Sequence, residues 1–268
     1  MLDQKKMNFF VYARHLVKLL LPRVIVEKIS NLKEKYYHKK YENLTINKIF
    51  TKIYEEKQWG EHDTQPFFSG AGSHNKDISE PYIEAVREYL SSLDFLPVVV
   101  DVGSGDFNIG SKLVDLAKYY YACDVVSTLQ SFCNTKFSYD NLEFVVCDAI
   151  EHPLPSGDIV IIRQVLQHIS NAQIRKIIKK CRKFDKWIIT EHIPVGTFEP
   201  NKDFNAGSGI RLLFGSGVDL TEAPFSVKDY STKVLCETPQ RNGVIKTILF
   251  ENNNNNSRVS DITFQSEN

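Results

Sequence analysis

The first fifty-eight residues carry apolar positions every three or four residues, the period of helices with one buried face. Phe9, Ala13, Leu16 and Leu20 share one face of a helix over 8–21. Ile25, Ile29, Leu32 and Tyr36 share one face of a second over 23–40, and Pro22 breaks the two apart. LTINKIFTKIYEEKQ (44–58) continues the helical period. It then stops: WGEHDTQPFFSGAGSH (59–74), punctuated by Gly60, Pro66, Gly70 and Gly72, reads as an irregular segment, and its aromatics and hydroxyls suit a binding loop better than a linker. A helix, PYIEAVREYLSSL, opens at Ser79 or Glu80 before Pro81.

From residue 98 short apolar runs alternate with helical patterns. Strands are expected at 98–102, Tyr119–Cys123, Glu143–Cys147, Gly157–Arg163 and Lys186–Glu191. Helices are expected at about 109–117, near 127–135 and at Asn171–Lys183, the last capped by Ser170. Such alternation predicts right-handed crossovers and a mostly parallel sheet covered by helices on both faces. Residues 193–217 interrupt it with Pro194, Gly196, Pro200, Gly207, Gly209, Gly215 and Gly217, a stretch long enough for a lid or an acceptor-binding insertion. Val227–Tyr230 is expected to start a last helix. Lys233–Glu237 and Gly243–Glu251 flank TPQRN as an antiparallel C-terminal hairpin, which brings the sheet to seven strands. The organisation that results is an N-terminal helical cap (1–58), an irregular binding loop (59–80), a ligand-binding α/β domain (81–251) and an Asn-rich tail (252–268) that opens with the run Asn252–Asn256.

The length of 268 residues suits one large domain with an appended cap. Lys+Arg and Asp+Glu both number 33, so overall charge gives no reason to expect nucleic acid as a partner. Residues 1–57 hold 13 Lys/Arg against 6 Asp/Glu. That surplus on amphipathic helices allows weak association with a membrane surface, but an apolar stripe no wider than packing requires favours a packed cap. No run of ~18 apolar residues occurs, and the N-terminal apolar patch is cut by Lys18, Pro22 and Arg23 with no small-residue cleavage site after it; neither a spanning helix nor a signal peptide is expected. Cys123, Cys133, Cys147, Cys181 and Cys236 are scattered without a C-x-x-C, the usage of reduced thiols in a cytoplasmic protein. A homodimer is left open.

The candidate chemistry gathers at VVVDVGSGDFNIG (98–110). A β-branched run ending in Gly103-x-Gly105 and opening a helix lets a ligand lie against the main chain and near free N–H groups. A dinucleotide fold would place a third glycine at 108, where this chain has Asn108. The chain also carries an acid, Asp101, two residues before Gly103. In an open parallel sheet, ligands sit beyond the carboxyl ends of the strands. Those ends carry Gly103–Ser104–Gly105–Asp106, then Asp124, then Asp148 with Ala149 and Ile150, then Arg163–Gln164. Asp124, 21 positions after Gly103, can accept both hydroxyls of a ribose, and Asp148 can accept from an adenine amino group.

VVDVGSGDFNIG, YACDVV, FVVCDAI, GDIVIIRQVLQHIS and KWIITEH, in this order, resemble motifs I, post-I, II, post-II and III of the class I S-adenosylmethionine (SAM) methyltransferases, over residues 98–192. The resemblance implies a Rossmann-like fold and SAM as cofactor. It also implies Gly103 and Gly105 against the methionine part, with Asp101 and Ser104 in the same motif, Asp124 and Val125 at the ribose, and Asp148 and Ala149 at the adenine. Asp106 and the Ser69–Ser73 loop, Ser73 included, become candidates for the amino-acid end, and Arg163 and Gln164, at the fourth strand end, are counted among the cofactor-binding residues. Phe107 departs from the family where a third glycine is common. IYEEKQWG…SGAGS, RQVLQHISNAQI and GVDLTEAPF are similar to bacterial methyltransferases that modify capsule or lipopolysaccharide sugars. They imply a glycan or small-molecule sugar acceptor: a nucleotide sugar, a lipid-linked intermediate or a polymer.

A sugar hydroxyl calls for a base. His168 is the first candidate because its ordinary pKa near 6.5 suits that work, and Glu191 and His192 follow at the next strand end. Glu191, His192, Asp203 and Asp219 could ligate a metal, but no tight spacing demands one and no metal site is assigned. The alternatives are a small-molecule O- or N-methyltransferase and a non-catalytic nucleotide-binding module, with a nicotinamide oxidoreductase disfavoured by Asn108.

Overall fold

The computed structural model describes residues 40–62, 64–240 and 243–253. The chain divides into two units, 1–42 and 43–268, and the sheet, its helices and the cavity belong to the second. The two helices expected over 8–21 and 23–40 and the Asn-rich tail beyond 253 lie outside the described residues, apart from Lys40.

Seven strands form one sheet in the order β3-β2-β1-β4-β5-β7-β6. They are β1 (Val98–Val102), β2 (Tyr119–Asp124), β3 (Leu142–Val146), β4 (Ile159–Arg163), β5 (Lys186–Ile193), β6 (Tyr230–Gln240) and β7 (Gly243–Asn252). Strands β1 to β5 pair in parallel, whereas β7 runs antiparallel between β5 and β6. The central strands β1 and β4 are almost wholly buried, as expected of strands covered on both faces. The strand order reverses between β1 and β4, the place where a doubly wound sheet opens a crevice.

Among the described residues, five helices accompany the sheet: α1 (Ile46–Glu55), α2 (Ala71–His74), α3 (Lys76–Ser91), α4 (Ser127–Lys136) and α5 (Asn171–Cys181). Thr45 caps α1, whose apolar stripe buries Ile49, Phe50, Ile53 and Tyr54. Ser170 and Gln173 form a reciprocal capping box on α5, satisfying two otherwise orphaned N–H groups. Helix α3 starts at Lys76, earlier than Pro81 suggested. Asn75 caps it by accepting from Asp77 N at 3.0 Å, so Pro81 lies inside the helix. No helix begins at Val227: Tyr230 already opens β6. No described helix is long and apolar enough to cross a membrane.

The helix expected over 109–117 is instead two short 3₁₀ turns, Gly110–Lys112 and Val114–Leu116. Phe107 stands just before them. It takes a left-handed conformation (φ 60°), and its ring occupies the space a side chain at Gly110 would need, since a Cβ there would lie 2.3 Å from the Phe107 Cε2. The ring is fully buried and meets Tyr120, Phe137 and Phe144 edge-on, with centroids 5.6, 5.2 and 5.0 Å away. Burial of an aromatic ring thus offsets backbone strain at a position that would suit glycine. Phe107→Ala keeps the strained backbone and removes the ring, so the expected loss is ~3–5 kcal/mol of stability. Urea denaturation of the pair checks it, and a loss below about 1 kcal/mol would contradict this explanation.

Candidate functional site

The carboxyl ends of β1, β2 and β4, with the loop after β3, open into one cavity of about 380 Å³. Its floor is the β1 turn. Gly103 and Gly105 both have positive φ (78° and 57°), and a Cβ on them would fall 2.3 Å from Val165 Cγ2 and 2.4 Å from Ser69 Oγ. Only glycine fits at these two points. Between them, the Ser104 hydroxyl is buried and has no partner in the protein.

Asp124 ends β2 and is buried at the cavity wall. Its Oδ2 accepts from Gly105 N at 3.1 Å and its Oδ1 from Val126 N at 3.0 Å. One carboxylate therefore ties the glycine turn to the start of α4. Each oxygen keeps a second lone pair for a ligand hydroxyl. Burial raises the Asp124 carboxyl above its ordinary range, against backbone N–H groups that favour its charged form. Past β3, Asp148 lies at the wall with Ala149 and Ile150, its Oδ1 accepting from Ile150 N at 2.9 Å. From β4 come Arg163, buried, and Gln164, left-handed at φ 55°. Arg163 donates to Gly72 O at 2.7 Å and lies 4.7 Å above the Tyr82 ring. Val125 and Ser73 also reach the cavity.

Of the candidate residues, Ser73, Gly103, Ser104, Gly105, Asp124, Val125, Asp148, Ala149, Arg163, Gln164 and His168 are thus brought around one space. Four are not. Asp101 lies below the glycine turn, buried, accepting from Tyr120 OH at 2.9 Å, and burial lifts its carboxyl to about 7. Asp106 points into the 59–75 loop, away from the cavity: its Oδ2 accepts from Ser69 N at 3.0 Å and contacts His74 Nε2 at 2.5 Å. Burial alone would raise Asp106, but the His74 contact and the Ser69 and Asn108 N–H groups hold it below the usual carboxylate range. It is a brace for the loop. Glu191 is 3% exposed and sits under the turn that follows β4 (Leu166–His168), accepting from Leu166 N at 2.9 Å and Gln167 N at 3.0 Å. Burial lifts it to about 8. His192 comes next along β5, outside the cavity lining, with its Nε2 buried against Gly243 and without a partner.

His168 does line the cavity, at the end of that turn. Its Nδ1 is 2.8 Å from Gly209 O, and a carbonyl can only accept, so Nδ1 carries the proton and Nε2 is the basic nitrogen. The Gln167 amide nitrogen is 3.4 Å from Nε2. Burial pulls the imidazole down to about 4, well below the range expected from sequence, so it is neutral at physiological pH.

The roof comes partly from α1, which the sequence pattern did not single out, and partly from the 193–217 stretch expected to form a lid or insertion. Ile46, Phe50 and Tyr54 of α1 face the cavity, as do Ser208, Gly209, Ile210 and Leu213. Tyr54 OH bonds Ser69 Oγ at 3.0 Å, and Asn108 Nδ2 donates to Ser73 O at 2.6 Å, so the 69–74 segment is bolted to both α1 and the β1 turn. The stripe on α1 was legible as a buried face, but not what it would cover. The four possible metal ligands are not gathered: Asp203 Oδ1 accepts from Asn171 N and Asp219 Oδ1 from Thr221 N, while Glu191 holds the turn after β4.

Residues 100–185 match the family model of a methyltransferase domain. Over that stretch the chain is similar to a methyltransferase domain. Its match spans β1 to the helix before β5, the strands whose ends build the cavity. Pluviatolide O-methyltransferase of Sinopodophyllum hexandrum is 31% identical over 98 residues, which is 37% of this chain and 26% of that protein; the similarity spans about a quarter of the relative. Among solved structures, magnesium protoporphyrin IX methyltransferase of Synechocystis PCC 6803 with bound SAM superposes with a TM-score of 0.53 at 16% identity, over 79% of this chain and 99% of that one. The N-methyltransferase NodS of Bradyrhizobium japonicum, in complex with S-adenosylhomocysteine, gives 0.53 at 13% identity over 77% and 99%. The fold, parallel strands followed by an antiparallel C-terminal pair, is therefore shared with these two solved methyltransferases.

Proposed function

We propose that the protein is a SAM-dependent O-methyltransferase acting on a small hydroxyl-bearing acceptor. A sugar of a bacterial surface polysaccharide, or its precursor, is the acceptor class that the sequence resemblance suggests. One observation carries the reading: the Gly103–Gly105 turn, Asp124 and Asp148, on successive strand ends, face a single roofed cavity. The residues present fit SAM. The glycine turn brings bare backbone to the cavity, the buried Ser104 hydroxyl lacks a protein partner, and Asp124 has acceptor capacity left for a ribose. Gly103 to Gly105 would hold the methionine part, Asp124 the ribose and Asp148 the adenine, with Arg163 fixing Gly72 and hence the roof.

When bound, SAM supplies a methyl group on a positively charged sulfur that departs as a neutral thioether. The protein's own part is then alignment and proton removal. His168 is positioned to remove the proton, because the Gly209 carbonyl fixes its tautomer and Glu191 holds the turn that presents it through two backbone N–H groups. The 31% identical plant enzyme supports a second reading, in which the acceptor is a small molecule other than a sugar. The test is transfer of labelled methyl from SAM to panels of glycosides, nucleotide sugars and phenols. Label in an oxygen-linked methyl supports the reading, and label found only on nitrogen, or on no panel member, overturns it.

A further inference from the structure

One end of the cavity differs from the rest. The charged side chains that reach the cavity, Asp124, Asp148 and Arg163, all come from the sheet edge. His168 lies beside Trp59 and Ile169, and the lining also includes Phe50, Ile210 and Leu213; none of these carries a formal charge, and His168 itself is neutral. Trp59 is held there by its rim. Its indole N–H donates to Ser208 O at 3.3 Å, Tyr54 meets it edge-on at 5.2 Å, and Phe50 tilts against it at 6.0 Å. The His168 ring lies 5.2 Å away. Yet Trp59 remains half-buried, although its one polar atom is already bonded.

A fixed aromatic face with no hydrogen bond left to offer selects for the apolar face of a ring. A ring resting on it would lie beside the imidazole that lines the cavity, with its hydroxyls at the rim. A diphosphate would bring two or more negative charges against apolar walls; the guanidinium at that end, Arg211, is buried outside the lining and already donates to Ile169 O and Lys202 O, which leaves the desolvation of those charges uncompensated. Arg163, the cation among the lining residues, is engaged with Gly72 and Tyr82.

Resting on the methyltransferase reading, we propose that Trp59 is the platform of the acceptor site, and that the acceptor is an uncharged, ring-shaped hydroxyl compound rather than a nucleotide sugar. The shared chemistry is a ring with one apolar face and a free hydroxyl, as found in a neutral glycoside or a phenol.

The experiment first confirms SAM binding by calorimetry in wild type, Trp59→Ala and Trp59→Phe. It then titrates three probe sets in the presence of S-adenosylhomocysteine: p-nitrophenyl glycosides of hexoses and 6-deoxyhexoses, catechol, and the UDP-linked forms of the same sugars. Indole fluorescence is followed, and its difference between wild type and Trp59→Ala isolates the Trp59 signal from Trp187. The expected result is binding of at least one neutral probe with a change in Trp59 emission. Trp59→Ala weakens that probe about tenfold or more, Trp59→Phe stays within about threefold of wild type, and SAM affinity is unchanged in both. The glycoside and phenol arms distinguish the two sources. The proposal is overturned if UDP-linked sugars bind more tightly than their neutral glycosides. Binding of the neutral probe unchanged in Trp59→Ala overturns it too, as does binding of SAM with no neutral probe bound. Failure of wild type to bind SAM would instead strike the methyltransferase reading beneath it.

Discussion

Replacing His168 by alanine is expected to reduce kcat by ~10²–10⁴-fold while SAM affinity stays within about threefold of wild type. The imidazole lines the cavity with its tautomer set by Gly209, so its loss removes the positioned base and leaves the sheet-edge residues in place. Its pH signature differs from that of an exposed histidine. Burial holds it near 4, so the acid limb of the kcat profile is expected near pH 4, with no break between 6 and 7. The variant should lack that limb. The same depression has a stability consequence of opposite origin. Between pH 6.5 and about 4 the unfolded imidazole takes up a proton that the folded one does not, so His168 lowers folding stability as pH falls through that window. A His168→Ala enzyme with near-normal kcat removes the residue as base. Glu191 cannot inherit the role directly, because both its oxygens accept from the Leu166 and Gln167 N–H groups. Its replacement by glutamine acts through the turn, and should lower kcat without shifting the acid limb.

The second large effect belongs to Asp124. Asp124→Ala is expected to weaken SAM binding by ~1.5–3 kcal/mol, the usual worth of a hydrogen bond to a charged group. Part of that loss comes through the protein, since the carboxylate also ties Gly105 N to Val126 N. Asp124→Asn separates the contributions. It keeps one acceptor oxygen for the turn and gives up the charge, so its affinity should fall between wild type and Asp124→Ala. SAM affinity unchanged in both variants would remove Asp124 from the site.

The strand ends were legible because a parallel strand followed by a turn is a local pattern. Gly103, Gly105, Asp124 and Asp148 could be placed by counting from apolar runs, and all four reach the cavity. Asp101 and Asp106 do not line the cavity, because spacing fixes a backbone position, not which way a carboxyl turns. Asp101 is one residue too deep in β1, and Asp106 is captured by Ser69 N and His74 from a segment over thirty residues upstream. The α1 part of the roof escaped for a related reason. Helical periodicity marks Phe50 and Tyr54 as buried, but only the fold shows that what they cover is a cavity. The short turns that begin at Gly110 follow Phe107, whose left-handed backbone no propensity would assign to phenylalanine.

Calorimetric titration of SAM into the full chain, with NAD as the control ligand, bears most directly on the methyltransferase reading. The expected result is saturable binding of SAM at one site per chain, weakened in Asp124→Ala, and no binding of NAD. Heat of binding from NAD with none from SAM, in a folded protein, would contradict it.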